Sequence, residues 1–170
     1  MTAATLTIDD HEIIDALDHL LSAAGTLTPV YKNIGEYEAE ATKERFRTGR
    51  DPEGNAWKDL NELYAKTKKG PSILVGQTRD LSSIIWQLAS SGVEIGSNVI
   101  YARAQNEGAT IVPKNAAALM FSMGGQTFMV KSVTIPRRQF LGFSSEDEVR
   151  ILEIIEDHFL DAIDNAAGSK

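Results

Sequence analysis

The sequence contains no cysteine, which excludes disulfide bonds, thiolate nucleophiles and thiolate metal sites together. No apolar run approaches the roughly 18–20 residues that span a bilayer, so we expect no membrane contact. The first residues, MTAATLTIDDHE, lack the basic start and apolar centre of a signal peptide. These absences together fit a cytoplasmic origin.

The charge of the chain is acidic overall and unevenly distributed. The formal net charge of −7 argues against a general nucleic-acid binder. Residues 1–42 carry −7 and residues 143–170 carry −6, whereas residues 43–142 carry +6. Two interpretations stay open: solvated acidic helices, or head-to-tail attraction between copies in which an acidic surface meets a basic one.

Amphipathic periodicity predicts two helices near the start of the chain. The first covers residues 9–24, with Asp9 as its N-cap, Glu12 three residues on and Gly25 as its C-cap. The second begins at Thr28-Pro29, since proline suits the first helical turn, and runs to about residue 46.

A further helix is predicted near the C-terminus, opened by a capping box in which Ser144 or Ser145 pairs with Asp147 or Glu148. Its apolar face is expected to consist of Val149, Leu152, Ile155, Phe159 and Ile163. A second face carries the carboxylates Glu153, Asp157, Asp161 and Asp164. Because these carboxylates lie opposite the apolar stripe, we interpret them as a solvated face rather than an acid–base pair.

Between these helices the pattern changes to turns and strands. We expect a turn over residues 48–57 that Trp57 anchors on the core, and a helix over 59–67 capped by Asp59. The remaining expected elements are a hairpin at 84–99, helical turns at 101–107 ended by Gly108, a hairpin at 117–135 around Gly124-Gly125, and a loop at 136–143. The fold class is therefore α+β, a small and mostly antiparallel sheet with hairpins, flanked by N-terminal and C-terminal helices in a single domain over residues 1–170.

No catalytic or metal constellation emerges, so we expect no enzyme, no metal and no cofactor. His11 and His19 are too far apart for a helical metal pair, and with His158 they are expected on helix surfaces. A calcium-loop spacing exists at Asp51, Glu53, Asn55, Asp59 and Glu62. Its sixth position is Ala56 where glycine is needed, so we interpret the segment as a polar turn in which Asp51 or Asn55 bonds its own backbone.

Basic residues in the middle of the chain are candidates for contact with a partner. A predicted cluster comprises Arg45, Arg47, Arg50, Lys66, Lys68 and Lys69, near Trp57 and Tyr64. It is a solvated loop, a patch that meets an acidic surface of another subunit, or a site where DNA phosphates bind and bases stack. Arg137 and Arg138 are the second candidate: they are either solvated or in contact with a partner, since arginine is enriched at interfaces.

The hairpin around Gly124-Gly125 carries more apolar side chains than a small sheet can hide. They are Met120, Phe121, Met123, Phe128 and Met129. They either belong to the core or form an exposed arm, around residues 109–132, that buries itself against another chain.

Several segments in order resemble the phage virion morphogenesis family of Mu-like and related tailed phages, which includes tail-completion proteins. They are Arg45-Phe46, Gly49-Arg50-Asp51-Pro52-x-Gly54-x-x-Trp57, Ile73-Leu74, Thr78-Arg79-Asp80-Leu81, Val93-Glu94-Ile95-Gly96-Ser97-x-x-x-Tyr101-Ala102, Gln105-x-x-Gly108 and Ile135-Pro136-x-Arg138-x-Phe140-Leu141-Gly142. The chain departs from the family pattern at Arg79-Asp80, where the family usually has glycine.

The resemblance implies a structural component of a tailed-phage virion, made in the host cytoplasm, that completes the tail or connects head and tail. It implies a ring of copies, expected to be a hexamer, in contact with neck or connector and tail-tube proteins. The alternatives are a neck-lining module that contacts passing phage DNA, or a small hydrolase. The interface residues we expect are Arg47, Arg50, Trp57, Met120, Phe121, Met123, Phe128, Met129, Arg137 and Arg138.

Overall fold

A computed structural model describes residues 11–25, 27–70 and 72–167. Its helices are α1 (His11–Gly25), α2 (Thr28–Thr48), α3 (Glu62–Thr67), α4 (Ala102–Glu107) and α5 (Ser145–Ala167), with a 3-10 turn at Asp80–Ser82. Its strands are β1 (Ile85–Ala89), β2 (Gly92–Gly96), β3 (Ala109–Ile111), β4 (Leu119–Met123), β5 (Gln126–Val130) and β6 (Val133–Ile135). Within these residues, no helix combines the length and the hydropathy of a transmembrane segment.

The α+β class with helices at both ends is confirmed, but the described strands do not share one sheet. They form three separate antiparallel pairs, β1 with β2, β3 with β6 and β4 with β5. The alternation of apolar residues reveals strands without revealing which strands pair. Here β1 and β2 pack against α2, whereas in residues 109–135 the β4–β5 pair lies in sequence between the paired strands β3 and β6.

Helix α2 forms the centre of the fold. It begins at Thr28 with Pro29 in its first turn, as expected, and it ends at Thr48, two residues beyond the expected end. Gly49 closes it in the left-handed conformation with φ 68°, and its N–H donates to the carbonyl of Arg45 at 2.8 Å.

The hydrophobic core surrounds the C-terminal half of α2. The ring of Phe46 packs against the ring of Phe140 at a centroid distance of 4.9 Å and against Trp57 at 5.6 Å. Trp57 Nε1 donates to the carbonyl of Gln139 at 2.8 Å, so the prediction that Trp57 anchors the 48–57 turn is confirmed. The other buried core members are Ala39, Leu74, Val75, Leu81, Ile84 and Ala102.

The long terminal helices pack together on one side of this core. Helix α1 lies along α5, and α5 also contacts α2. His158 is half-buried between helices rather than on a free surface, and its Nε2 donates to the carbonyl of Ala23 at 3.2 Å. The expected cap Asp9 lies outside the described residues, and Gly25 is the last residue of α1.

The expected cap of the short helix α3 was wrong by two positions. Asn61 caps it, accepting a hydrogen bond from the N–H of Leu63 at 3.0 Å, and the helix begins at Glu62. Asp59 cannot serve as the N-cap, because its carbonyl and that of Lys58 accept hydrogen bonds from the guanidinium of Arg138 before the helix starts.

Residues 109–135, referred to below as the arm, form two nested strand pairs, with β4–β5 inside β3–β6. Strands β4 and β5 are joined by Gly124 and Gly125 with φ of 60° and 78°, the positive angles that a two-residue type I′ turn needs. The expected hairpin is therefore confirmed at 119–130. Residues 133–135, expected in the same hairpin, pair instead with β3, a strand that was not predicted from the sequence.

Gly35 allows α2 to approach the β1–β2 hairpin closely. A Cβ at this position would lie 2.7 Å from Cδ2 of Trp86 and 2.9 Å from Cγ2 of Val93. We predict that Gly35→Ala lowers the free energy of unfolding by about 1–2 kcal/mol, because overpacking outweighs the better helix propensity of alanine. Gly25→Ala is the control, since it has open space around its Cβ and should be neutral or slightly stabilising. Equal denaturant midpoints for the wild type and Gly35→Ala would contradict the close packing.

Candidate assembly surfaces and the polar network beneath them

Arg45 is a buried arginine that joins three parts of the chain. From α2 its Nη1 donates to the carbonyls of Phe140 at 3.0 Å and Gly142 at 2.7 Å, in the loop before α5. Its Nη2 forms an ion pair with Asp147 in the first turn of α5. The guanidinium thereby fixes the loop and the start of α5 against α2.

Asp147 completes the network and caps α5. Its Oδ2 accepts the N–H of Ser144 at 2.7 Å, while its own N–H donates to Oγ of Ser144 at 3.1 Å. This reciprocal pair confirms the predicted capping box, with Ser144 as the cap. The hydroxyl of Tyr37 on α2 donates to Oδ1 of Asp147 at 3.0 Å, so both carboxylate oxygens have donors.

Burial and neighbouring charge shift the pKa values in this network. Burial alone would raise the pKa of Asp147, but the hydrogen bonds from Ser144 and the charge of Arg45 hold it below its ordinary value. Burial and the hydrogen bond to Asp147 raise the pKa of Tyr37 to about 12. Burial, followed by the charge of Asp147, raises the pKa of Glu38 to about 7. Glu38 is only 3% exposed, and its Oε1 has no hydrogen-bond partner in the described part of the chain.

The network holds α5 so that much of its apolar surface points away from the chain. The expected inward face was wrong in part: Ile154 is the buried residue, Ile155 and Phe159 are half-buried, and Val149, Leu152 and Ile163 are exposed. The reason is that apolar residues cover more of the helix circumference than α1 and α2 can bury. We call Val149, Leu152, Leu160 and Ile163 the α5 outer face, in which Leu152 is 65% exposed.

Next to the α5 outer face lies a row of carboxylates. Glu153, Asp157, Asp161 and Asp164 are all exposed, as expected for a solvated face. Glu156, also exposed, stands within the α5 outer face, between Leu152 and Leu160. The apolar surface of α5 is thus accompanied by negative charge.

The two faces of the β4–β5 hairpin differ in exposure. Phe121 and Phe128 stack on one face with their ring centroids 5.7 Å apart, and Met123 shares that half-buried face. Met120 and Met129 are directly paired across the strands on the other face, where they are 72% and 73% exposed. We call the Met120–Met129 side the arm outer face.

The predicted basic cluster is not one free patch. Arg45 is buried in its ion pair, Arg47 pairs with Glu44, and Lys68 donates to the carbonyl of Val75 at 2.7 Å. Arg50 is exposed and donates to the carbonyl of Gly54 at 2.6 Å, while Lys66 and Lys69 are exposed. Trp57 is buried in the core and so offers no ring on which a base could stack.

Trp57 and Arg138 were expected on an interface, but both side chains lie inside the chain. Arg138 is 6% exposed because Nε donates to the carbonyl of Lys58 at 2.7 Å and Nη2 to that of Asp59 at 2.9 Å. Its neighbour Arg137 is exposed and contacts Gln139. The two adjacent arginines therefore have different roles.

The calcium-like segment forms a hydrogen-bonded turn. Oδ1 of Asp51 accepts the backbone N–H of Asn55 at 2.8 Å, which confirms the predicted polar turn. Glu62 stands apart from this turn, in α3. Within residues 11–25, 27–70 and 72–167, no group of three or more His, Asp or Glu side chains is arranged to hold a metal ion.

Comparison with known proteins gives the family of this chain. Residues 8–160 match the model of the phage virion morphogenesis family, and the chain belongs to that family. A relative is "Mu-like prophage FluMu G protein 2" of Haemophilus influenzae (strain ATCC 51907 / DSM 11121 / KW20 / Rd), 28% identical over 148 residues, which are 87% of this chain and 89% of the relative. No solved structure matches the chain.

We predict that Arg45→Met lowers the free energy of unfolding by about 3–5 kcal/mol, because it leaves the buried Asp147 carboxylate without its cation. Arg47→Met is the matched control: it also removes an ion-paired arginine of α2, but an exposed one, and should leave stability close to wild type. Urea unfolding followed by circular dichroism measures both. Equal losses in the two variants would contradict the central role of the buried pair.

The raised pKa of Glu38 predicts a pH dependence. An unfolded glutamate ionises near 4.5, whereas folded Glu38 keeps its proton until about pH 7. The folded state therefore binds the extra proton in this window, and the Glu38 contribution to stability falls as pH rises through it.

Glu38→Gln removes this contribution. Relative to wild type, the variant should gain on the order of 1–3 kcal/mol between about pH 4.5 and pH 8. Urea unfolding of both proteins at the two pH values measures the difference. Parallel stability curves across this range would show that Glu38 ionises normally.

Proposed function

We propose that this chain is a non-enzymatic structural part of a tailed-phage virion that completes the tail or joins it to the head. Membership of the virion morphogenesis family supports the general role. The observation that carries the specific proposal is the exposure of large apolar side chains on two ordered surfaces, the α5 outer face and the arm outer face.

The energetics favour burial of these surfaces against other proteins. Exposed groups of large apolar side chains, rimmed by polar residues, mark protein interaction sites on soluble proteins. Burying a side chain such as Leu152 or Met129 contributes roughly 1.5–3 kcal/mol. Several such side chains together would offset the loss of translational and rotational freedom on association.

A ring at the neck or tail end fits the distribution of these surfaces. The two outer faces differ in shape and charge, which suits a heterologous contact in which one patch meets a different patch on the next copy. Such contacts close into a ring when the rotation allows it, and we propose a hexamer. The flat sides of the ring would contact the connector and the tail tube.

The test is to delete only this gene from a phage that encodes the chain. We expect electron microscopy of the lysate to show heads and tails that are not joined, or tails whose ends are abnormal. Infectivity should fall by orders of magnitude. The gene supplied from a plasmid should restore joined virions. Normal numbers of joined, infectious particles without the gene would refute the proposal.

A further inference from the structure

We infer that the arm outer face of one copy docks on the α5 outer face of the next copy, and that this contact builds the assembly. The inference rests on the self-assembly proposed above and names the two surfaces that meet. It commits to a second copy of this chain as the partner.

The two surfaces have compatible lengths, and the arm outer face contributes one apolar cross-strand pair, Met120 and Met129, beside the exposed Ser122 and Thr127. The α5 outer face runs from Val149 to Ile163, which is about 21 Å along a helix. The five-residue strands β4 and β5 are about 17 Å long, so the hairpin fits along the helix. Met120 and Met129 are flexible side chains that adapt to a surface of leucine, isoleucine and valine.

Charge favours this pairing over like with like. The arm contains Lys114 and Lys131 and no acidic residue, whereas α5 contains eight acidic residues and one arginine. Two arms, or two α5 helices, would repel each other, whereas an arm and an α5 helix attract. In the described part of the chain, Lys114, Lys131 and Glu156 are exposed and form neither a hydrogen bond nor an ion pair.

The arm has one face committed to its own chain and one face free. Its tip lies against α3, where a Cβ at Gly124 would be 3.0 Å from the carbonyl oxygen of Leu63. The stacked Phe121 and Phe128 occupy the half-buried side, and Met120 and Met129 point the other way. A hairpin supported in this way presents its outer face to a neighbouring copy.

The test uses two variants of the full chain, each of which places charge on one apolar surface. Met120→Glu with Met129→Glu disrupts the arm outer face, and Leu152→Glu with Leu160→Glu disrupts the α5 outer face. All four positions are exposed, so both variants should fold, which circular dichroism checks. Ile100→Glu is the control, because Ile100 is a fully exposed apolar residue on neither surface, and it should assemble as wild type.

Light scattering after size-exclusion chromatography gives the decisive masses. The wild type should form an oligomer that weakens at high salt, and each surface variant alone should be a monomer. An equimolar mixture of the two variants should form a one-to-one heterodimer, because it retains one intact arm and one intact α5 face. This result requires a heterologous contact between these two surfaces.

Each other outcome overturns the inference. If either surface variant assembles as wild type, or if the mixture stays monomeric, the arm and α5 do not meet. If the wild type is a monomer, copies do not dock through these faces. If both variants assemble but the α5 variant fails to restore a phage lacking the gene, another virion protein covers α5, and the proposed virion function survives.

Discussion

The buried ion pair between Arg45 and Asp147 is the contact on which the arrangement of this molecule depends. It joins α2 to the loop at Phe140–Gly142 and to the first turn of α5, both of which lie about a hundred residues after Arg45 in sequence. Removing two charges from water is costly, and the cost is offset only when further hydrogen bonds satisfy both groups. Ser144, Tyr37 and two backbone carbonyls provide those bonds, so α5 has one well-defined orientation.

That orientation decides which part of α5 meets solvent. At 3.6 residues per turn, the apolar positions of the helix span roughly two thirds of its circumference, and α1 and α2 cover only one side of them. A helix held less firmly would roll to bury more of its apolar surface. The polar network therefore keeps an apolar surface exposed, as the assembly we propose requires.

Much of the fold follows from local pattern. The proline at the start of α2, the capping box at Ser144 and the glycine turn at Gly124-Gly125 are each set by neighbouring residues, and all three stand where predicted. The anchoring of Trp57 was also predictable, since a tryptophan directly after a polar turn seldom remains in water.

The features that local pattern could not reveal depend on distant partners. No sequence pattern predicts the ion pair between Arg45 and Asp147, although Asp147 was predicted to belong to the capping box of α5. The same limit explains why Arg138 was expected on an interface, since its backbone partners lie about eighty residues earlier. It also explains the error on α5, where helical periodicity shows an apolar stripe but not which half of it is covered. The pairing of β3 with β6 likewise spans the whole arm.

Whether α5 and the arm are assembly surfaces is measured most directly by a cryo-EM reconstruction, with side chains resolved, of virions that contain this chain. We predict that Leu152 and Leu160 of each copy lie beneath Met120 and Met129 of a neighbour. A reconstruction in which this surface of α5 faces open solvent in every copy would contradict the contact between α5 and the arm.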